Sequence, residues 1–160
     1  MDVDLVPASD KTVLANLLQP YLYDFSEIHG NELTPSGTYH YPYLDSYFAD
    51  PAYEPWLVTA GGKLAGFALA RTDADTDGAW NVSEFFVVRK YRRRGVARTA
   101  ARLLFARHPG PWTLSFHHDN PTAIAFWRPL IREYGPVAEA ERRPPEVEHP
   151  LTRVRFHVPG

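Results

Sequence analysis

Residues 85–98 read Phe85-Phe86-Val87-Val88-Arg89-Lys90-Tyr91-Arg92-Arg93-Arg94-Gly95-Val96-Ala97-Arg98. An apolar run of strand type passes through a short basic turn directly into a helix. The helix is marked by Val96, Ala100, Leu103 and Leu104 at i, i+4, i+7 and i+8, with Arg98, Arg102 and Arg107 outside that stripe. Its first turn offers unpaired backbone N–H groups and the positive end of the helix dipole, which suit phosphate oxygens. Gly95 has no Cβ, so a phosphate can approach the backbone there, and small Ala97 leaves the next approach open.

On the N-terminal side, Asp2–Val6 alternates as a half-buried strand does, and Ser9 is read as the N-cap of a helix carrying Val13, Leu14, Leu17 and Leu18. Pro20 is expected to break it, with a second helical piece over Tyr21–Ile28, a loop from Gly30 to Tyr43, and a short helix near Asp45–Ala49. Trp56–Ala60, Gly61-Gly62 and Leu64–Arg71 form a hairpin pattern; Asp73–Gly78 reads as a turn and Trp80–Val88 as a strand. On the C-terminal side, Pro109-Gly110 ends the long helix and Trp112–His117 is the next strand. Asn120-Pro121 opens another helix, with Asn at the N-cap and Pro at N1; Pro129 is expected to kink or shorten it. Arg142-Arg143-Pro144-Pro145 reads as a surface loop, and Leu151–Val158 as a terminal strand. The order β-α-α-β-β-β-α-β-α-β describes an α+β domain: a mixed sheet flanked by helices.

Composition narrows the function. At 160 residues the chain forms a single domain, 1–160. A net charge of -2 gives no reason to expect nucleic acid or an anionic membrane, and no apolar run reaches spanning length. The absence of cysteine excludes disulfides, thiolate metal sites and a thiol nucleophile, and is compatible with a reducing cytoplasm. No metal is expected.

The pattern Arg92-x-x-Gly95-x-Ala97 after an apolar strand resembles the Q/R-x-x-G-x-G/A signature of GNAT N-acetyltransferases. Asn120-x-x-Ala123-Ile124-x-Phe126-Trp127 resembles a second motif of that superfamily, and one helix and one strand separate the two, as in the family. The similarity covers Trp80–Tyr134, and the stretch Tyr21–Glu27 is similar to bacterial GNAT proteins of unassigned substrate. The resemblance implies a mostly antiparallel sheet splayed between its central strands, with acetyl-coenzyme A (acetyl-CoA) as co-substrate and an amine as acceptor. It implies a cofactor-binding set of Phe85, Phe86, Val87, Arg92, Arg93, Arg94, Gly95, Val96, Ala97, Arg98, Asn120 and Trp127, within an acetyl-CoA core over 80–134. A backbone N–H near Phe86–Val87 is the implied donor to the acyl oxygen.

Two residues compete as general base: Glu84, on the strand just before the cofactor residues, and His117 on the next strand, where Ser115 has the same facing. Each also has a plain structural reading, Glu84 in an ion pair with an arginine and His117 as a hydrogen-bonded strand residue. Asn81 stands where several members carry a glutamate. Trp127 stands where the family's usual acid, a tyrosine, would be, and an indole N–H cannot serve as one. The glycine-phenylalanine pair usual after that helix is also absent. Either a tyrosine from the N-terminal third reaches in, or the thiolate leaves unassisted. A fold that binds coenzyme A only as a sensor is the alternative.

The family builds its acceptor pocket from the N-terminal third, here 1–55. That region is rich in tyrosines with acidic neighbours, among them Tyr23, Asp24, Glu27 and Tyr41. These suit a cationic, partly apolar amine, either a small molecule or a peptide N-terminus. The same residues equally suit the surface of a homodimer.

Overall fold

The computed structural model describes residues 1–76 and 78–160. The chain runs β1 (Val3–Pro7), α1 (Lys11–His29), α2 (Ser46–Ala49), β2 (Tyr53–Ala60), β3 (Lys63–Thr72), β4 (Trp80–Val87), a 3-10 turn (Arg89–Tyr91), α3 (Val96–Arg107), β5 (Gly110–His117), α4 (Pro121–Arg132), β6 (Ala138–Arg142) and β7 (Leu151–Val158). The strands form one seven-stranded sheet in the order β1-β2-β3-β4-β5-β7-β6. Every neighbouring pair is antiparallel except β4 and β5. The turn expected over Asp73–Gly78 includes Asp77, which lies outside the described residues.

Strand alternation divides the core between the two faces of the sheet. Trp112, Leu114 and Phe116 of β5 meet Leu104 and Phe105 of α3 and Trp127, Leu130 and Ile131 of α4 on one face. On the other, Leu14, Leu18, Tyr21 and Leu22 of α1 cover Phe67 and Leu69 of β3 and Phe86 of β4. Burying one such large apolar side chain is worth about 1.5–3 kcal/mol, so these faces fix which side chains point to which helix.

Several local expectations are corrected. Asp10, not Ser9, caps α1, its carboxylate accepting from the Thr12 N–H at 2.9 Å. Pro20 does not break α1. Asn16 and Pro20 both lie on its exposed side, so the Asn16 carbonyl left without a donor is solvated while Leu14, Leu18, Tyr21 and Leu22 stay packed across the proline. Pro129 is accommodated in the same way within α4, with Ala125 and Pro129 exposed. The buried stripe of α3 is Val96, Ala100, Ala101, Leu104 and Phe105, and Leu103 lies outside it. The strand β6 was not anticipated. It is an edge strand exposed on both sides, so it carries no burial alternation to read.

The feature that positions the site is the centre of the sheet. The parallel pair β4–β5 has only two rungs, Trp80–Trp112 and Asn81–Thr113, after which the strands part. An extra residue on β4 at Ser83 interrupts its ladder with β3, Val82 pairing with Ala70 and Glu84 with Leu69. Such bulges re-aim the following side chains. Glu84 thereby shares the α1 face with Leu69 and Phe86.

Candidate active site

The parting of β4 from β5 opens a cleft of about 730 Å³. Its walls are Glu84 and Phe85 of β4, Ser115 and His117 of β5, Asn120 and Trp127 of α4, Tyr21 of α1, and Tyr41, Tyr43 and Tyr47 from the following loop and α2. Thr113 on β5 is buried beside Asn81, whose side-chain amide donates to the Thr113 carbonyl at 3.3 Å and to its hydroxyl at 3.0 Å. The Thr113 hydroxyl in turn donates to Asp73, which also pairs with Arg153 of β7. Burial acts to raise the Asp73 carboxyl, but the bonds from Thr113, the Asp75 N–H and Arg153 outweigh it and hold it below its ordinary value. Asn81 therefore fastens the two strands at the point where they separate.

Among the described residues Glu84 is the one carboxylate that lines the cleft. Burial pushes its carboxyl up to about 7, against the opposing pull of the Tyr21 hydroxyl and the Arg71 guanidinium. Tyr21, Tyr41 and Tyr47 are themselves raised above the ordinary tyrosine value, in each case first by burial. All three stay protonated at neutral pH and act as hydrogen-bond donors. His117 behaves differently. Burial, then the neighbouring His29 and His149, lower it to about 4. Its ring centroid lies 4.4 Å from that of His29, which stacks on His149 at 4.3 Å. Among the described residues no group of three or more ligating side chains is arranged to hold a metal ion.

The basic turn sits at the start of α3. Gly95 is left-handed at φ 76°, and a Cβ there would meet no protein atom within 4 Å. The constraint on this position is therefore its backbone angle and the open space outside it. Arg93 is left-handed too, at φ 60°. No side chain caps the helix and its first turn carries no acid, so the leading N–H groups remain available. The arginines divide. Arg92 donates from Nε to the Val87 carbonyl at 2.8 Å and pairs with Asp24, and Arg98 pairs with Glu133. Arg93 and Arg94 have no carboxylate partner among the described residues. An open helix N-terminus flanked by two uncommitted guanidiniums fits a pyrophosphate.

The inner edge of β4 completes the arrangement. Val88 donates its N–H to the Ala65 carbonyl of β3 at 2.8 Å, so strand alternation turns the N–H of Val87 into the gap. Gly66 makes this possible. A Cβ at Gly66 would lie 1.9 Å from the Phe86 carbonyl oxygen, so only glycine lets β3 approach β4 here. Phe85 packs against the rings of Phe126 and Trp127, at 6.0 and 5.1 Å. Phe86 faces Tyr21 instead, at 5.6 Å.

Comparison with known proteins places this geometry. The Acetyltransferase (GNAT) family model matches residues 15–130. The chain belongs to the GNAT acetyltransferase family. No curated protein sequence matches it. Among solved structures, an acetyltransferase from Thermus thermophilus has a TM-score of 0.72 at 18% identity, covering 99% of this chain and 98% of that one. Spermidine N-acetyltransferase from Vibrio cholerae, in complex with CoA and spermine, has a TM-score of 0.67 at 16% identity, covering 98% and 95%. The ribosomal-protein-S18-alanine N-acetyltransferase from Escherichia coli has a TM-score of 0.64 at 15% identity, covering 99% and 96%. At these identities the likeness is one of fold. The mixed, mostly antiparallel sheet splayed between β4 and β5 is that of this GNAT fold.

Of the residues singled out in the sequence, Glu84, Phe85, His117, Asn120, Trp127 and Tyr41 meet at the cleft, while Arg93, Arg94, Gly95, Val96 and Ala97 form the turn beside it. Tyr23, Asp24 and Glu27 do not line the cleft. Tyr23 is 63% exposed, and Asp24 is held by Arg89 and Arg92, each at 3.1 Å. Asn120 spends its side-chain oxygen on capping α4, accepting from the Ala123 N–H at 3.1 Å. Sequence reading missed Arg71 and Tyr53, both in the cleft wall, and the role of Asn81. β3 is buried on both faces and so carries no alternation that would have marked Arg71.

Proposed function

We propose that the protein transfers the acetyl group of acetyl-CoA directly to an amine acceptor, a small molecule or a peptide, in a ternary complex in the cytoplasm. Acetyl-CoA supplies the electrophile, a thioester carbonyl. Arg93, Arg94 and the leading N–H groups of α3, at Val96, Ala97 and Arg98, hold the pyrophosphate. Gly95 keeps that approach clear. The inner edge of β4 at Phe85–Val87 holds the pantetheine arm, and the Val87 N–H donates to the acyl oxygen. Asn120 and Trp127 close the α4 side. Arg92, with Asp24, braces the turn from behind rather than touching the ligand.

The observation that carries this reading is Glu84, a carboxylate raised to about 7 inside the cleft where β4 and β5 part. A general base works best with a pKa near the working pH, and Glu84 meets that condition. His117, at about 4, is present as the free base but is some thousandfold weaker as a proton acceptor. Glu84 takes the ammonium proton, and His117 is part of the wall. Tyr21, Tyr41 and Tyr47 donate hydrogen bonds on the acceptor side. Raised as they are, these hydroxyls solvate a departing thiolate better than they protonate it.

Thermal melting with and without acetyl-CoA tests the cofactor half. At 100 times its Kd the ligand stabilises the wild type by about 2.7 kcal/mol. Gly95→Trp, and independently Arg93→Gln with Arg94→Gln, should melt as folded proteins and lose that response. A wild type unmoved by millimolar acetyl-CoA would remove the reading. Thiol release with a panel of amines then tests the transfer.

A further inference from the structure

Arg71 stands apart in the cleft. It is carried by β3, paired with Tyr53 of β2 and Asn81 of β4, and shares their α1 face. Its side chain lines the cleft, half-buried, near enough to Glu84 and Tyr47 to favour the ionised form of each. Most arginines of the chain answer a carboxylate: Arg89 and Arg92 that of Asp24, Arg98 and Arg102 that of Glu133, Arg128 that of Glu139. Arg153, the other guanidinium in the cleft wall, is neutralised by Asp73. Arg71 has no carboxylate partner among the described residues, and its sole bond is a long one of 3.5 Å from Nη1 to the Thr72 carbonyl.

We propose that Arg71 binds an anionic group of the acceptor, and that the acceptor is a small molecule carrying both an amine and a carboxylate. This rests on the transferase reading and narrows it. A guanidinium presents a planar fork of donors that matches a carboxylate, and it does so best where water is partly excluded. The neighbouring Tyr41, Tyr43, Tyr47 and Tyr53 add hydroxyl donors and no negative charge. Among the described residues Glu84 is the only acidic side chain in the lining, which there offers one carboxylate where a polycationic amine would call for several. With the amine at Glu84 and the carboxylate at Arg71, one small aminocarboxylate answers both charged groups of the floor. The acidic residues read from the sequence as amine ligands, Asp24 and Glu27, lie outside this wall.

The test is a calorimetric titration of the protein, saturated with CoA, using the common L-amino acids offered in pairs as free acid and α-amide. At least one free acid should bind about tenfold or more tightly than its amide. Arg71→Gln should reduce that preference to within about threefold, and Arg71→Lys, which keeps the charge without the fork, should retain part of it. No preference for any free acid, or a preference that survives Arg71→Gln, would overturn the assignment. Thiol release from acetyl-CoA separates the two readings. Equal turnover of acids and simple alkylamines would sink the carboxylate and leave the transferase standing. Arg71-dependent binding of acids with no thiol release would support the anion site and count against the transferase.

Discussion

Replacing Glu84 by Gln should make the protein more stable and less active, and the stability half can be measured without any substrate. In the folded chain burial raises this carboxyl from 4.5 to about 7. An acid raised on folding binds its proton more tightly in the native state, so stability is fully present below pH 4.5 and is lost as pH rises towards 7. The displacement is worth about 3 kcal/mol at pH 8, where the wild type carries a charge that its surroundings disfavour. Glutamine keeps the shape and the polar contact with Tyr21 but has no charge to bury. Urea unfolding of both proteins at pH 4.5 and pH 8 isolates the effect, because every other group titrates equally in both. The variant should gain up to about 3 kcal/mol over wild type at pH 8 and almost nothing at pH 4.5. Thermal midpoints should follow, at roughly 2–4 °C per kcal/mol for a domain of this size. A variant equally destabilised at both pH values would show that Glu84 is an ordinary solvated carboxylate, and one destabilised more at pH 8 that it is ion-paired; in either case its use as base would fall.

The remaining expectations concern catalysis and packing. With a turned-over acceptor, kcat/KM should rise about tenfold per pH unit below 7 and level above it, and Glu84→Gln should lose about 10²–10⁴-fold together with that limb. His117→Ala should keep the same pH limb, and NMR should show the His117 ring neutral down to about pH 5. Arg93→Gly should raise the melting temperature of the free protein by relieving a left-handed arginine worth about 1 kcal/mol, while weakening the acetyl-CoA response. Gly66→Ala should destabilise the fold by about 1–3 kcal/mol, read by urea denaturation, because its methyl group would enter the Phe86 carbonyl.

The elements that declared themselves in the sequence are those whose signals are local. The strand–turn–helix at Phe85–Arg98 and the Asn120-Pro121 helix start depend on neighbours a few residues away, and both formed as read. α1 was harder, because whether Pro20 ends a helix depends on which side of it faces water, and that is set by β3 and β4. β6 gave no burial pattern because neither of its sides is covered. In the site, Glu84 and His117 were legible as residue types on adjacent strands, but their pKa values were not. Both shifts come first from burial, which at Glu84 is opposed by Tyr21 and at His117 is reinforced by His29 and His149, all distant in sequence. Asp24 reads as an acceptor ligand from the tyrosine-and-acid composition of the region that the family resemblance gives to the acceptor pocket. Its partners lie 65 and 68 residues away, beyond any local pattern.

A sheet joined at its middle by two rungs has four edges rather than two. The outer pair, β1 and β6, meets solvent, as in any open sheet. The inner pair, the facing margins of β4 and β5, presents unmatched main-chain donors and acceptors within the domain, walled by α4 on one side and by α1 and the tyrosine loop on the other. An exposed edge of that kind would invite another chain to add a strand. The protein thus keeps the adhesive quality of an unfinished sheet inside its own walls, and an amide-bearing ligand in the gap would serve as the missing strand that joins its two halves.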